Sequence, residues 1–169
     1  MVKAIAYIGL ALMFITSLIG CNSTGCTENK NSVPLAGFYA YSTKQAITVD
    51  SISIGGVGAP NDSLIIDCAS ASSVYLPFRA SMHEVRYFIR YEAKALNYPE
   101  LVDTISFTYT SIPYFASEDC GAMYRYDITD FRYTTNLIDS VAVTDKLITN
   151  VDIERIKIFF RTADTEQGE

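Results

Sequence analysis

Histidine and cysteine are the residue types in this chain that could support nucleophilic chemistry. His83 is the sole histidine, and the cysteines are Cys21, Cys26, Cys68 and Cys120. A cysteine nucleophile needs a base within hydrogen-bond reach, so His83 would have to meet Cys68 or Cys120 in the fold. No surrounding motif supports such a pair. We therefore expect no catalytic residue, and we expect His83 to lie exposed in a loop or at a strand edge.

Acidic residues and glycines offer no better site. Asp119, Asp127, Asp130 and Asp139 do not follow the spacing of a calcium loop. The Gly-rich segment 55–58 is not followed by a helix, so it predicts a loop and not a phosphate cradle. The sequence thus predicts neither a metal site nor a cofactor.

The tyrosines are the remaining candidates for binding. Tyr114, Tyr124, Tyr126 and Tyr133, with Phe115, could form an aromatic face for a sugar or a peptide. However, tyrosine is also a good strand residue, and the chain has no tryptophan, the strongest stacking residue. A structural role for these four tyrosines is therefore the simpler interpretation, and the binding face is kept as an alternative.

The N-terminus indicates the compartment. Lys3 precedes an uncharged apolar run, residues 4–20, which is the anatomy of a signal peptide over residues 1–20. The run ends in Leu18-Ile19-Gly20-Cys21, which resembles the lipobox of bacterial lipoproteins, where the cysteine is acylated and becomes the new N-terminus. This resemblance predicts lipidation at Cys21 and attachment to a membrane through the lipid.

The segment after Cys21 is polar and predicts a tether over residues 21–33. Asn22 follows the cysteine, as in lipoproteins sent to an outer membrane. A formal net charge of −6 argues against a nucleic-acid partner, whose phosphates require basic surface. The sequence therefore predicts a cell-envelope location, on either the periplasmic or the surface side.

Three cysteines remain after Cys21, an odd number in a compartment that permits disulfides. Cys26 lies in the tether and Cys120 in a turn-like segment beside Gly121, so these two make the best pair. Cys68 follows an apolar run and is expected to act as a small hydrophobe in a strand. The two pairings that involve Cys68 stay open as alternatives.

From Pro34 onward the apolar residues recur with period two, which predicts strands. About seven to nine strands separated by turn signals favour one all-β domain over residues 34–162, an antiparallel β-sandwich of the immunoglobulin or jelly-roll kind or a partly closed barrel. In the last strand the parity of the apolar residues changes, which predicts a β-bulge near Glu154 and Arg155. Residues 163–169 are expected to form a flexible tail.

Several ordered features together resemble a family of small lipoproteins of unknown function from Bacteroides-type bacteria. They are the lipobox, a cysteine in the tether, Pro34-Leu35, Tyr75-Leu76-Pro77-Phe78, Ser117 to Gly121, and Thr135 to Ser140. The resemblance implies an all-β envelope domain and the pairing of Cys26 with Cys120, and it implies no activity.

The sequence favours a non-enzymatic, lipid-anchored envelope protein that serves as a binding or structural module, with another envelope protein as its expected partner. One alternative is a lipoprotein that captures a glycan or peptide on its tyrosine face. The other is a thiol-dependent enzyme that uses Cys68 or Cys120, which requires a thiol of low pKa.

Overall fold

The computed structural model describes residues 32–60, 63–93 and 101–161, and they form ten β-strands. The strands are β1 (Leu35–Ala40), β2 (Val49–Gly56), β3 (Leu64–Ala71), β4 (Ser73–Tyr75), β5 (Glu84–Tyr91), β6 (Val102–Ser117), β7 (Gly121–Tyr133), β8 (Ile138–Val143), β9 (Leu147–Ile148) and β10 (Glu154–Phe160). The predicted signal peptide, the predicted lipidation site at Cys21, most of the predicted tether and the predicted C-terminal tail lie outside the described residues. No helix in the described ranges has the length and apolar character needed to cross a membrane.

The strands form two sheets. One has four strands in the order β4-β1-β10-β8, and the other has six in the order β3-β2-β5-β6-β7-β9. The pairing of β1 with β10 is parallel, whereas the other strand pairs are antiparallel. The prediction of an all-β sandwich is confirmed, with one strand more than the expected upper limit because the short β9 was not predicted.

The core contains the side chains that the period-two pattern predicted to face inward. Along β6, Ile105, Phe107 and Tyr109 are buried, whereas Thr108 and Thr110 between and beyond them are exposed. Alternate side chains of a strand point to opposite faces, so one face of β6 packs inward and the other meets solvent. The same rule places Ile156, Ile158 and Phe160 of β10 in the core.

The predicted bulge in the last strand is confirmed. Leu35 of β1 pairs with Glu154, but the next residue, Ala36, pairs with Ile156, so Arg155 is the extra residue. Beyond the bulge, Ile156, Ile158 and Phe160 alternate along β10 and face the core, whereas Val151 and Ile153, which precede the bulge, are exposed.

The longest feature of the fold is the hairpin of β6 and β7. Their pairing runs from Ile105 opposite Tyr133 to Ser117 opposite Gly121, and Gly121 has a φ of 72°, which favours glycine. The pairing of β6 with β5 ends at Thr108 opposite Glu84, and the pairing of β7 with β9 ends at Tyr126 opposite Ile148, so no other described strand pairs with the hairpin beyond Ser111 and Tyr126. Pro113 is accommodated there because β5 no longer requires a backbone donor from β6.

The two sheets are joined by a buried carboxylate. Asp103 of β6 has no exposed surface, and its oxygens accept five hydrogen bonds. One comes from the Tyr91 hydroxyl at 2.9 Å, and the other four come from the connection between β7 and β8 and from the first residue of β8. These four donors are Thr134 Oγ1 at 2.7 Å and the backbone N–H groups of Asn136 at 2.8 Å, Leu137 at 2.8 Å and Ile138 at 2.9 Å.

We expect Asp103→Asn to lower the free energy of unfolding by about 3 kcal/mol, because the amide nitrogen cannot accept and leaves buried N–H donors without partners. Denaturant unfolding at neutral pH measures this loss. Asp139→Asn is the matched control, since Asp139 pairs with Arg161 at 3.3 Å near the surface, and its loss should cost about 0.5 kcal/mol. Equal losses in the two variants would contradict the role assigned to Asp103.

The same carboxylate should make stability depend on acidity. Burial acts to raise the pKa of Asp103, but the hydrogen bonds from Thr134 and from the backbone of residues 136–138 outweigh it and hold the pKa below its ordinary value. Its stabilisation is therefore complete above the unfolded-state pKa of about 3.9 and is lost as the pH falls through the lower folded-state pKa. The stability difference between wild type and Asp103→Asn should shrink over this acidic range, and a difference that stays constant would contradict the assignment.

Candidate functional site

The structure separates the four candidate tyrosines. Tyr126 is buried in the core, where its ring meets that of Tyr109 edge to face, with the ring centroids 5.3 Å apart. Tyr133 is half-buried at the other end of β7 and stacks on Phe131, which packs against the core. Neither side chain offers an open ring face, so both serve mainly to build the sandwich.

Tyr114 and Tyr124 lie nearer the turn of the β6–β7 hairpin. The ring of Tyr114 is covered by the guanidinium of Arg125, 4.0 Å from the ring centroid, and its hydroxyl donates to the sulfur of Met123 at 3.6 Å. Tyr124 is 43% exposed, and its backbone carbonyl accepts a hydrogen bond from Ser32 Oγ at 2.6 Å. Of the four tyrosines, Tyr124 is thus the one with a substantially exposed ring.

Cys68 is a free and exposed cysteine of β3. Its backbone has a φ of 41° and its N–H donates to Ser53 Oγ at 2.8 Å, while its thiol donates to the carboxylate of Glu92. The hydrogen bond to Glu92 and the negative charge of that residue raise the pKa of Cys68. A raised pKa reduces the thiolate fraction, so this thiol lacks the activation that nucleophilic chemistry requires.

The other residues considered for chemistry are dispersed. Within the described ranges, no three His, Cys, Asp or Glu side chains come close enough to hold a metal ion. Asp130 pairs with Arg132 and Asp139 with Arg161, each at 3.3 Å, so these carboxylates are engaged at the surface. Cys26 and Cys21 lie outside the described residues, so the pairing of Cys26 with Cys120 and the lipidation of Cys21 stay predictions.

A concave surface lies at the end of the six-stranded sheet from which the β6–β7 hairpin projects. It is a cleft of about 640 Å³ between the β2–β3 loop and the β4–β5 loop, and we call it the arginine cleft. Its lining residues are Gly56, Val57, Gly58, Ala59, Ser63, Ile65, Pro77, Arg79, Ser81, Met82, His83, Glu84, Val85, Arg86 and Tyr87. The sole histidine therefore lines this cleft, whereas Cys68 does not.

Two buried tyrosines fix one wall of the arginine cleft. The hydroxyl of Tyr109 accepts a hydrogen bond from the N–H of Arg79 at 3.0 Å and donates to the carbonyl of the same residue at 2.9 Å. The hydroxyl of Tyr87 donates to the carbonyl of Pro77. Burial raises the pKa of Tyr87, so the hydroxyl stays protonated and keeps this bond at any ordinary pH. The β4–β5 loop is thereby held in place before any ligand arrives.

The side chain of Phe78 also attaches the β4–β5 loop to the core. Its ring stacks on Tyr109, with the centroids 4.4 Å apart and the planes 18° from parallel, and it also lies 5.6 Å from Phe107. Such aromatic pairs contribute about 1 kcal/mol each beyond the area they bury. The wall that carries Arg79 therefore rests on the hydrophobic core.

The charges of the cleft distinguish it from the rest of the surface. Among the seven described arginines, four form ion pairs with acidic residues and Arg125 covers the ring of Tyr114. The remaining two, Arg79 and Arg86, both line the cleft, and neither side chain has an ion pair, hydrogen bond or ring contact in the described part of the chain. Glu84 is the one acidic residue among the described lining residues.

Sequence reasoning did not find this site. Arg86 occupies a solvent-facing position of β5, and the segment 55–58 reads as an ordinary loop, so neither marks a cleft by itself. The cleft exists because β2 pairs with β5, with Gly56 opposite Tyr87, and thus brings two loops together that are far apart in sequence. One signal was available in the sequence. No acidic residue lies two, three or four positions from Arg79, which indicates an arginine without a local ion pair, but this signal is weak.

Comparisons with known proteins give one finding. A model for a family of unknown function, DUF6452, matches residues 51–160. Comparison with curated proteins and with solved structures gives no match.

We expect Cys68 to be alkylated slowly at pH 8 because its thiol donates to Glu92, and we expect Glu92→Gln to speed the reaction several-fold by removing the negative charge that raises the pKa of Cys68. Mass spectrometry of the peptide that contains Cys68, after timed exposure to iodoacetamide, measures the rate. Asp50→Asn is the control, since it removes a carboxylate that accepts from Ser70 on the same pair of strands. Rapid labelling of the wild type at neutral pH would contradict this account and would revive the thiol-enzyme alternative.

Proposed function

The chain belongs to the family of unknown function DUF6452, and on that premise we propose that it is a lipid-anchored binding module of the bacterial cell envelope. Its ligand site is the arginine cleft, and the ligand carries a carboxylate or phosphate group. The observation that carries this proposal is that Arg79 and Arg86, the two described arginines without a partner, line the same cleft.

Charge supports an anionic ligand. The chain has a formal net charge of −6, and four of the five described arginines outside the cleft are paired with carboxylates. Two unpaired guanidinium groups in one concavity make a local positive potential that attracts anions. Guanidinium groups also bind carboxylate and phosphate oxygens through paired hydrogen bonds, which favours those two groups as ligands.

Apolar side chains support a ligand that is more than an inorganic ion. Val57, Ile65 and Met82 line the cleft and are 45%, 40% and 43% exposed. Methionine adapts its shape to irregular partners, and exposed apolar surface in a concavity favours an organic ligand. The proposed ligand is therefore an organic anion such as an acidic peptide or the acidic end of an envelope component.

The location part of the proposal rests on the N-terminus. Lipidation at Cys21 and the outer-membrane location come from the lipobox and the polar tether, and the resemblance to lipoproteins of Bacteroides-type bacteria comes from these together with short motifs of the domain. The pairing of Cys26 with Cys120 is part of the same proposal, and the free thiol of Cys68 is compatible with it.

The two alternatives have weaker support. Capture of a ligand on a tyrosine face requires rings that share one open surface, but Tyr126 is buried and Tyr133 packs against the core. A thiol-dependent enzyme that uses Cys68 requires a lowered pKa, whereas that of Cys68 is raised. A non-enzymatic binding role therefore agrees best with the geometry.

We expect Cys21→Ser to move the protein from the membrane pellet to the soluble fraction of a lipoprotein-producing host, because the acyl chains provide the attachment. Fractionation with immunodetection measures the shift. Cys68→Ser is the control and should stay in the pellet. Pelleting of both variants would contradict lipidation at Cys21, and protease treatment of intact cells would then separate surface display from a periplasmic position for the wild type.

We expect the double variant Arg79→Gln/Arg86→Gln to weaken binding of the sulfonate dye 8-anilinonaphthalene-1-sulfonate about fivefold or more, because two solvent-accessible charge-assisted contacts are lost. Fluorescence titration measures the affinity. The neutral dye N-phenyl-1-naphthylamine, which has the same rings without the sulfonate, should bind both proteins equally.

Arg132→Gln is the matched control for this titration, since Arg132 is an exposed arginine that pairs with Asp130 outside the cleft. It should leave the affinity for both dyes unchanged. An equal loss for the neutral dye would show that the double variant damages the fold, and no loss for the sulfonate would refute the cleft as an anion site.

A further inference from the structure

The end of the β6–β7 hairpin carries exposed apolar side chains. The hairpin tip, residues 112–124, extends past the last pairing of β6 with β5, between Thr108 and Glu84. From Thr108 to Phe115 the strand advances by about 23 Å at the usual rise per residue. Phe115 is 69% exposed, the highest value among the exposed large hydrophobic residues.

The exposed apolar residues are concentrated at this end of the molecule. Of the twelve exposed large hydrophobic residues, half lie either in the arginine cleft or on the hairpin tip. Those in the cleft are Val57, Ile65 and Met82, and those on the tip are Ile112, Phe115 and Tyr124. Exposed apolar surface that is gathered in one region marks a contact with a partner or a membrane.

The N-terminal segment meets the described fold beside the hairpin tip. Ser32 is 5% exposed, and its Oγ donates to the carbonyl of Tyr124 at 2.6 Å. Tyr124 is three residues from Gly121 at the turn, a distance of about 10 Å along the strand. Cys21 precedes Ser32 by eleven residues, so a fully extended tether would place it no more than about 37 Å from the hairpin.

We propose that the hairpin tip faces the bilayer and that Phe115 and Tyr124 enter its interfacial layer, an inference that rests on the proposed lipid at Cys21. Aromatic side chains favour the boundary between acyl chains and headgroups, and a hairpin attached to the tether lies within reach of that boundary. A second copy of the chain could also cover apolar surface, but it would not explain why the chain from Cys21 enters the fold at this end.

The charges of the tip specify the kind of lipid surface. Glu118 and Asp119 lie in the turn after β6, three and four residues beyond Phe115, and carboxylates are repelled by a strongly anionic surface. The contact is therefore apolar and aromatic, and it suits zwitterionic lipid. The arginine cleft opens at the same end of the sheet, so this orientation also turns Arg79 and Arg86 towards the membrane side.

The absence of tryptophan from the chain allows a direct test. Phe115→Trp introduces a single fluorescent reporter at an exposed position where a larger ring is tolerated. The full-length variant, purified from host membranes, is reconstituted into phosphatidylcholine vesicles with and without bromine atoms on the acyl chains. Tyr41→Trp is the matched control, because Tyr41 is 46% exposed and follows β1, which runs away from the hairpin end.

We expect the Phe115→Trp protein to lose about half of its emission in brominated vesicles, since interfacial side chains lie within reach of the acyl chains, and the Tyr41→Trp protein to lose none. Flotation of the vesicles reports anchoring separately. If the protein does not float, the lipid anchor and the orientation both fail, whereas a protein that floats without quenching keeps the anchor and overturns the orientation. Equal quenching of both variants would also overturn it, as would a blue shift of Phe115→Trp without quenching, which would indicate a second copy at the tip.

Discussion

The relation between the two sheets depends on one buried carboxylate. The chain leaves the six-stranded sheet at Tyr133 and enters the four-stranded sheet at Ile138, and the connection between them wraps around Asp103. An ionised carboxylate without exposed surface is tolerated only when its lone pairs are occupied, and here five donors occupy them. Because three of these donors are consecutive backbone N–H groups, the position of Asp103 fixes the path of the chain between the sheets.

The arginine cleft follows the same physical rule with neutral groups. A buried tyrosine hydroxyl needs a partner, and Tyr87 and Tyr109 find theirs in the backbone of the β4–β5 loop instead of in water. The need of these buried hydroxyls for hydrogen-bond partners therefore fixes the position of the β4–β5 loop. The guanidinium of Arg79 is not needed to hold the loop, because the backbone N–H of Arg79 makes the hydrogen bond to Tyr109.

The period-two pattern predicted the sandwich and even the bulge at Arg155, because both are local consequences of which residues can be buried. It did not predict the length of the β6–β7 hairpin, since Pro113 ordinarily ends a strand and is accepted only where β5 has already stopped. The candidate site was missed for a related reason. Alternation identifies Tyr126 and Tyr124 as residues of one strand face, but it cannot show that one of them is covered by Phe78 and the other is not.

Ion pairs elsewhere on the surface explain why the two arginines of the cleft differ from most of the others. In an acidic chain each arginine has many carboxylates available, and four of the described arginines are paired with one. Surface pairs of this kind contribute little stability, so the pairing of those four mainly removes positive potential from the rest of the surface. Arg79 and Arg86 keep their positive charge without an ion pair, and in the proposed function this local potential attracts an anion to the cleft. In that proposal, the preference of an anion for the cleft depends on the pairing of the other arginines as well as on Arg79 and Arg86.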